Sequence, residues 1–233
     1  MCGRFIITAY AETIKEIFKA NILYDYQPRY NVAPGQDVPV VVEGGSGARE
    51  ISAMRWGLIP RWARDPGAGY KMINARAETI GQKPAYRVAF KHRRCLIPAD
   101  GFYEWIKAGN KKLPLLITIP GRKVFALAGI WERWVSPGGE NIDSFSIITT
   151  AANGFMQGIH HRMPVILSIE DEYFSWLEAG ATKNSLMKPF GGSLEAYYVS
   201  TLVNTPKFDG PEIIKELRPY VPGAIKTEQY KLF

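Results

Sequence analysis

Cysteine is scarce in this chain of 233 residues, which holds only Cys2 and Cys95. Two are too few for a disulfide framework, and in a reducing compartment each stays a free thiol that needs its own explanation. Histidine is nearly as rare, with three residues, two of them adjacent at His160 and His161. There is no Cys-x-x-Cys, no His-Glu-x-x-His and no cysteine near the histidine pair in sequence, so no metal site is expected. A Walker-type phosphate loop is also missing, and no cofactor is expected. No apolar run approaches the roughly 18 residues needed to cross a bilayer, and Met1-Cys2-Gly3-Arg4 lacks the charged-then-apolar layout of a signal peptide. The expectation is a cytoplasmic protein with no membrane partner, nucleoid-associated if it binds DNA. Internal repeats, low-complexity tracts and long hydrophilic linkers are absent too, which favours one domain over residues 1–233 and a monomer.

What is present is a chain with 46% apolar residues, enough for a substantial core. Residues Thr8 to Ala20 put Ile14, Ile17 and Phe18 on one side at helical spacing, and two further helices are expected near Lys83 to Lys91 and Glu170 to Leu177. Runs rich in β-branched and aromatic residues recur at Val38 to Val42, Ile51 to Ile59, Arg94 to Trp105, Leu113 to Ile119, Val124 to Trp134, Phe145 to Thr150, Met163 to Leu167 and Tyr197 to Thr201. Turn signals such as Asn31 to Gly35, Gly44 to Gly47, Gly109-Asn110 and Pro137-Gly138-Gly139 separate them. Many short strands with few helices predict an α+β class: a β-rich domain of closed or sandwiched, mostly antiparallel sheets with a few flanking helices.

The net charge is +7, but it is not spread evenly. Residues 49–112 hold 14 Lys or Arg against 5 Asp or Glu, and everything else sums to −2. Concentrated positive charge suits a polyanion, because neutralising phosphates releases condensed counterions. Within this stretch Trp56, Trp62, Tyr70 and Tyr103 interleave with Arg55, Arg61, Arg64 and Arg76, a mixture in which rings stack on bases while guanidinium groups hold phosphates. The competing explanations are a solvated basic face and aromatic residues committed to the core.

Cys2 carries a particular chemistry. An initiator Met followed by a small residue is ordinarily removed, and its loss would leave a cysteine with a free α-amine. An α-amine of pKa about 7.7 to 8.0 leaves roughly 30% neutral at pH 7.4, against about 0.1% for a lysine of pKa about 10.4. Such an amine condenses with an aldehyde, and the neighbouring thiol then closes a five-membered thiazolidine that protects the imine. Glu104 sits in the apolar and aromatic setting Ala99-Asp100-Gly101-Phe102-Tyr103-Glu104-Trp105, where a buried carboxyl group would be raised toward the range useful for proton transfer; an ordinary outward-facing strand glutamate fits the same stretch equally well.

Six ordered blocks resemble the SRAP family, the SOS-response-associated peptidase domain of abasic-site processing proteins. They are Met1-Cys2-Gly3-Arg4-Phe5, Arg29 to Gly35, Met54 to Pro60 with Trp62, Asn74 to Thr79, Ala99 to Trp105 and Ile159 to Pro164, and together they span nearly the whole chain. The resemblance implies a DNA-damage-response protein with the SRAP fold. Its partner would be single-stranded DNA containing abasic sites, including single-strand/double-strand junctions. Cys2 would form the crosslink, Asn74 would position the N-terminus and sugar, Glu104 would move protons at the amine, and His160 would act as general acid or base in opening the deoxyribose. By the same resemblance Arg4, Arg76 and Arg162 hold phosphates and Trp62 stacks on or wedges against bases. His161 is secondary to His160, and Cys95 reads as a buried small apolar residue. The segments Ala63 to Tyr70 and Lys207 onward match no block.

Two readings of other kinds stand beside this one. A cysteine-dependent peptidase or amidase would use a Cys2 thiolate with His160 shuttling the proton, self-removal of Met1 being the one peptide bond cut. A noncatalytic single-strand binding module would use the basic stretch and the aromatics and leave Cys2, Asn74, Glu104 and His160 without purpose. Schiff-base formation also acidifies the sugar C2′ position, which would allow strand cleavage by β-elimination as a minor or pH-dependent activity; the sequence leaves the balance of protection and cleavage open.

Overall fold

The computed structural model describes residues 2–24, 26–45, 47–178 and 185–222. Along the chain these form β1 (Phe5–Ile7), α1 (Ala11–Phe18), β2 (Ala20–Ile22), β3 (Arg29–Val32), β4 (Asp37–Glu43) and β5 (Arg49–Trp56). There follow β6 (Asn74–Arg76), α2 (Arg87–His92), β7 (Arg94–Ala99), β8 (Gly101–Ala108), β9 (Lys111–Thr118), β10 (Phe125–Val135) and β11 (Asn141–Ala151). The last are α3 (Gly154–Gln157), β12 (Arg162–Pro164), β13 (Ile166–Leu167), α4 (Glu170–Leu177), β14 (Glu195–Tyr198) and β15 (Arg218–Pro219).

Strands β4, β7, β10, β11 and β5 pair in that cyclic order. The neighbours are antiparallel except where β11 meets β5 in parallel, with Phe145 opposite Trp56, and closes a five-stranded barrel. Closure removes the free edges that five such apolar strands would otherwise expose. The second sheet is antiparallel throughout, in the order β15-β14-β9-β8-β1-β3. Its side chains alternate as a two-residue period requires. Phe5, Ile7, Phe102, Leu115 and Ile117 join the core shared with the barrel, whereas Ile6, Tyr103 and Leu116 face the opposite way, under Val199, Val203 and Ile213. Phe5 meets Trp56 edge-on at 5.1 Å, and Trp56 stacks on Phe145 at 6.4 Å, so the first strand is keyed into the barrel.

The expected β-rich α+β class is what the chain forms, and the helix expected at Glu170 to Leu177 is α4. α1 lies within Thr8 to Ala20, with Ile14 and Phe18 buried. Three expectations need correction. The run Arg94 to Trp105 is two strands in two sheets, because the chain turns from barrel to second sheet at Asp100, whose carboxylate accepts the Thr8 backbone N–H. The helix near Lys83 to Lys91 begins only at Arg87, after turns in which Thr79 O accepts from Gln82 and Lys83. Asn31 and Val32, expected in a turn, end strand β3, and the turn is confined to residues 33–36, with Gly35 at φ 87°.

Candidate active site and nucleic-acid interface

The register of β1 on β8 sets Phe5 opposite Phe102, and one step earlier the Tyr103 N–H donates to Arg4 O at 2.9 Å. The residues before β1 therefore run alongside β8 where Glu104 sits. From the barrel side β6 pairs in parallel with β11, placing Asn74 opposite Ile147. Asn74 Nδ2 donates to Cys2 O at 2.8 Å, and its Oδ1 is buried without a hydrogen-bond partner among the described residues. Cys2 is buried, with its thiol directed at Arg4 O at 3.8 Å.

The far end of β11 completes the cluster. There β6 and β12 both pair with it, bringing Arg76 and Pro164 opposite Thr149 and Arg162 opposite Ala151. His160 lies just before β12, and its Nδ1 accepts the Arg162 backbone N–H at 2.9 Å. The same Nδ1 lies 3.2 Å from Arg162 O, so it accepts the N–H when bare and donates to the carbonyl when protonated. The His160 and His161 rings stack at 4.3 Å.

Electrostatics couple these residues. Burial pushes the Cys2 thiol well above its ordinary value, and the Glu104 charge pushes it further. Burial also raises the Glu104 carboxyl, opposed by the charge of the N-terminal amine. His160 is lowered, first by burial and then by that same amine. The Glu104 charge acts on the Cys2 thiol, the charge of His161 acts on Glu104, and His161 stacks on His160, which links the four side chains. Of the residues singled out for chemistry in the sequence, Asn74 touches Cys2 directly, Glu104 acts on the Cys2 thiol through its charge, and the described contacts of His160 are with Arg162 and His161. The removal of Met1 lies outside the described residues.

The residues implicated in DNA contact have separate fates. Trp62 is 71% exposed on a turn closed by Ala63 N–H to Pro60 O at 2.8 Å and tied to the barrel by Trp134 Nε1 donating to Ala63 O at 2.7 Å. A Cβ on Gly57, at φ 124°, would lie 2.6 Å from Gly69 O, so the two ends of this Trp62-bearing loop meet at a distance that glycine alone permits. Trp62, Arg64 and Lys71 line a cleft of about 550 Å³, and Arg76 is exposed on β6. Arg4 and Arg162, by contrast, already hold protein groups. Arg4 Nη1 donates to Asn31 Oδ1 at 2.6 Å and Val203 O at 2.9 Å. Arg162 donates from both Nη atoms to the Glu78 carboxylate, at 2.6 and 3.0 Å, and from Nη2 to Thr149 O at 2.5 Å.

Sequence reasoning missed the partners of these arginines. Glu78 stands inside the quoted block Asn74 to Thr79 but drew no role. Asn31 is fully buried and donates to Val203 O, Thr205 O and Phe208 O, while Asp209 accepts the backbone N–H groups of Tyr30 and Asn31. These links run to residues about 170 to 180 positions away, so no local signal could have revealed them.

A closed barrel against an antiparallel sheet, with an N-terminal cysteine strap, an amide and an acid at their junction, matches a known class. The chain belongs to the SRAP family, SOS response associated peptidase, whose model matches residues 1–206. It is similar to the abasic site processing protein YoqW of Bacillus subtilis, with 44% identity over 224 residues, 92% of this chain and 99% of that protein. The abasic site processing protein HMCES of Xenopus tropicalis is 34% identical over 220 residues, 80% of this chain and 65% of that protein. A crystal structure of a protein from Bacteroides thetaiotaomicron superposes with a TM-score of 0.80 at 30% identity, covering 92% of this chain and 99% of that one. Among the described residues no helix is long and apolar enough to cross a membrane.

Proposed function

We propose that this protein processes abasic sites in single-stranded DNA by covalent capture through Cys2 once Met1 is removed. The observation that carries this reading is the hydrogen bond from Asn74 to Cys2 O, which fixes the backbone of residue 2 beside a buried acid. The Cys2 amine adds to the aldehyde carbon of the ring-opened sugar, giving a carbinolamine. Glu104, its carboxyl raised by burial, delivers the proton with which hydroxide leaves as water, and the imine forms. The thiol then adds across the C=N bond: sulfur bonds to carbon, its proton passes to nitrogen, and the thiazolidine closes. His160, its pKa lowered by burial, serves the sugar-opening step as general acid or base. Asn74 Oδ1 is a ready acceptor for the amine or a sugar hydroxyl.

Cys2 burial favours this order of events over a peptidase. A cysteine peptidase needs a thiolate, and here burial of the thiol opposes one. A passive binding module would gain nothing from keeping a carboxyl group buried at this junction. In this reading Trp62 and Arg76 hold the strand, supported by their exposure, and the exposed Arg61, Arg64 and Lys71 supply further positive charge. Arg162, and Arg4 on the opposite face of the second sheet, would first have to exchange protein partners for phosphate.

The test is a denaturing gel of protein whose mass verifies Met1 removal, mixed with an oligonucleotide carrying one abasic site. A heat-stable shifted band is expected, lost with Cys2→Ala and with N-terminal acetylation. Cys2→Ser should give a stable band only after borohydride reduction. No band from the processed wild-type protein would sink the proposal.

A further inference from the structure

Among the described residues Glu78 is the acid set between two of the arginines assigned to the DNA strand. Its carboxylate takes both Nη donors of Arg162, whose side chain is only 10% exposed, while Glu78 itself is 51% exposed. The Arg162 hydrogen bond holds Glu78 below the usual carboxylate range, and the charge of Arg76 adds to the effect. A carboxylate in fork geometry on a guanidinium occupies the seat a phosphate takes in bidentate pairing. Glu78 also borders a cleft of about 380 Å³ lined by Ile80, Gln82, Phe90 and Met187, space into which a displaced side chain fits.

We infer that Glu78 is a specificity-determining gate that occupies the phosphate seat on Arg162 until a correctly placed strand displaces it. This rests on the reading of the site as one for single-stranded DNA. An incoming phosphate exchanges with a carboxylate, so Arg162 contributes little net attraction to nucleic acid held out of register. Only a strand already held at Trp62 and Arg76, with its backbone running past β12, supplies enough contact to complete the exchange. The gate thus suppresses loose binding to intact nucleic acid while leaving productive placement intact.

The first experiment measures reversible binding of an undamaged single-stranded oligonucleotide by wild type, Glu78→Gln and Glu78→Asp across a salt series. Glu78→Gln is expected to bind about tenfold tighter, with the slope of log K against log salt steeper by about one, because Arg162 then meets phosphate without a competing anion. Glu78→Asp, which keeps the charge, should keep the wild-type slope. Unchanged or weaker binding by folded Glu78→Gln overturns the gate and makes Glu78 a prop for Arg162. A second measurement needs no variant: the Glu78 carboxyl, followed by carbon NMR in the wild-type protein, should rise toward its ordinary pKa on saturation with an oligonucleotide carrying one abasic site, which the site holds in register. A value that stays depressed overturns the gate as well. Failure of wild type to bind single strands at all would refute the underlying site reading instead.

Discussion

Replacing Asn74 by alanine tests the site most directly. The Cα of residue 74 is fixed by its place opposite Ile147 on β11, so truncation removes the amide and leaves the strand in position. What goes is the 2.8 Å bond that holds Cys2 O. Losing a donor to a part-buried carbonyl costs about 1 to 3 kcal/mol. If that energy holds the Cys2 amine and thiol in attacking geometry, the crosslinking rate falls roughly 5- to 150-fold at about 1.4 kcal/mol per decade. The assay is a single-turnover time course with protein in excess over an abasic oligonucleotide, paired with binding of the intact oligonucleotide and a thermal melt. Binding should change less than about twofold, since Asn74 carries no charge to offer phosphate. Asn74→Asp keeps the side chain's size but puts an acceptor against an acceptor, and should be at least as slow. Wild-type rates in both variants, with Met1 removal verified, would refute the claim that this bond positions Cys2.

Glu104→Gln should separate stability from activity. A carboxyl raised by burial contributes stability that is present below its unfolded pKa of about 4.3 and lost as pH rises through the folded value. The glutamine variant should therefore melt above wild type at pH 8, converge with it as pH falls below about 4.3, and crosslink about 10² times more slowly. A wild-type protein that melts higher at pH 8 would contradict this. Gly129→Ala probes the barrel instead: the added methyl would lie 2.4 Å from Ile97 Cδ1 and 3.0 Å from both Cys95 Sγ and Ser146 O. Of these neighbours the Ser146 carbonyl belongs to the barrel backbone, so a denaturant melt should show a loss of about 1 to 3 kcal/mol. An unchanged midpoint would show that the barrel yields at this point.

The long elements were legible because periodicity needs length to register. β4, β10 and α4 present enough residues for apolar runs or helical spacing to emerge, and each appears where its pattern places it. The site is built differently. Asn74, Arg76 and Arg162 ride on three-residue strands, and Cys2 precedes another, all too short to show a period. Their positions could be anticipated only from the ordered blocks shared with a family. The break at Asp100 escaped notice because the strands on either side are both apolar. What divides them is a carboxylate bonded to Thr8, 92 residues away.

The sequence by itself determined which functional groups exist: an aminothiol precursor at Cys2, a basic stretch studded with aromatics, and no sequence pattern for a metal. It also determined the β-rich class, since alternation and β-branching act within a few residues. Only the tertiary structure decided how those groups behave. Barrel closure buried Cys2 and Glu104 together, which keeps the thiol protonated and raises the acid. Strand pairing on β11 turned Arg162 toward Glu78, 84 residues distant, and left Arg76 facing solvent. Charge and reactivity depend on solvation and on neighbours, and neighbours are set by long-range pairing that no local stretch of chain encodes.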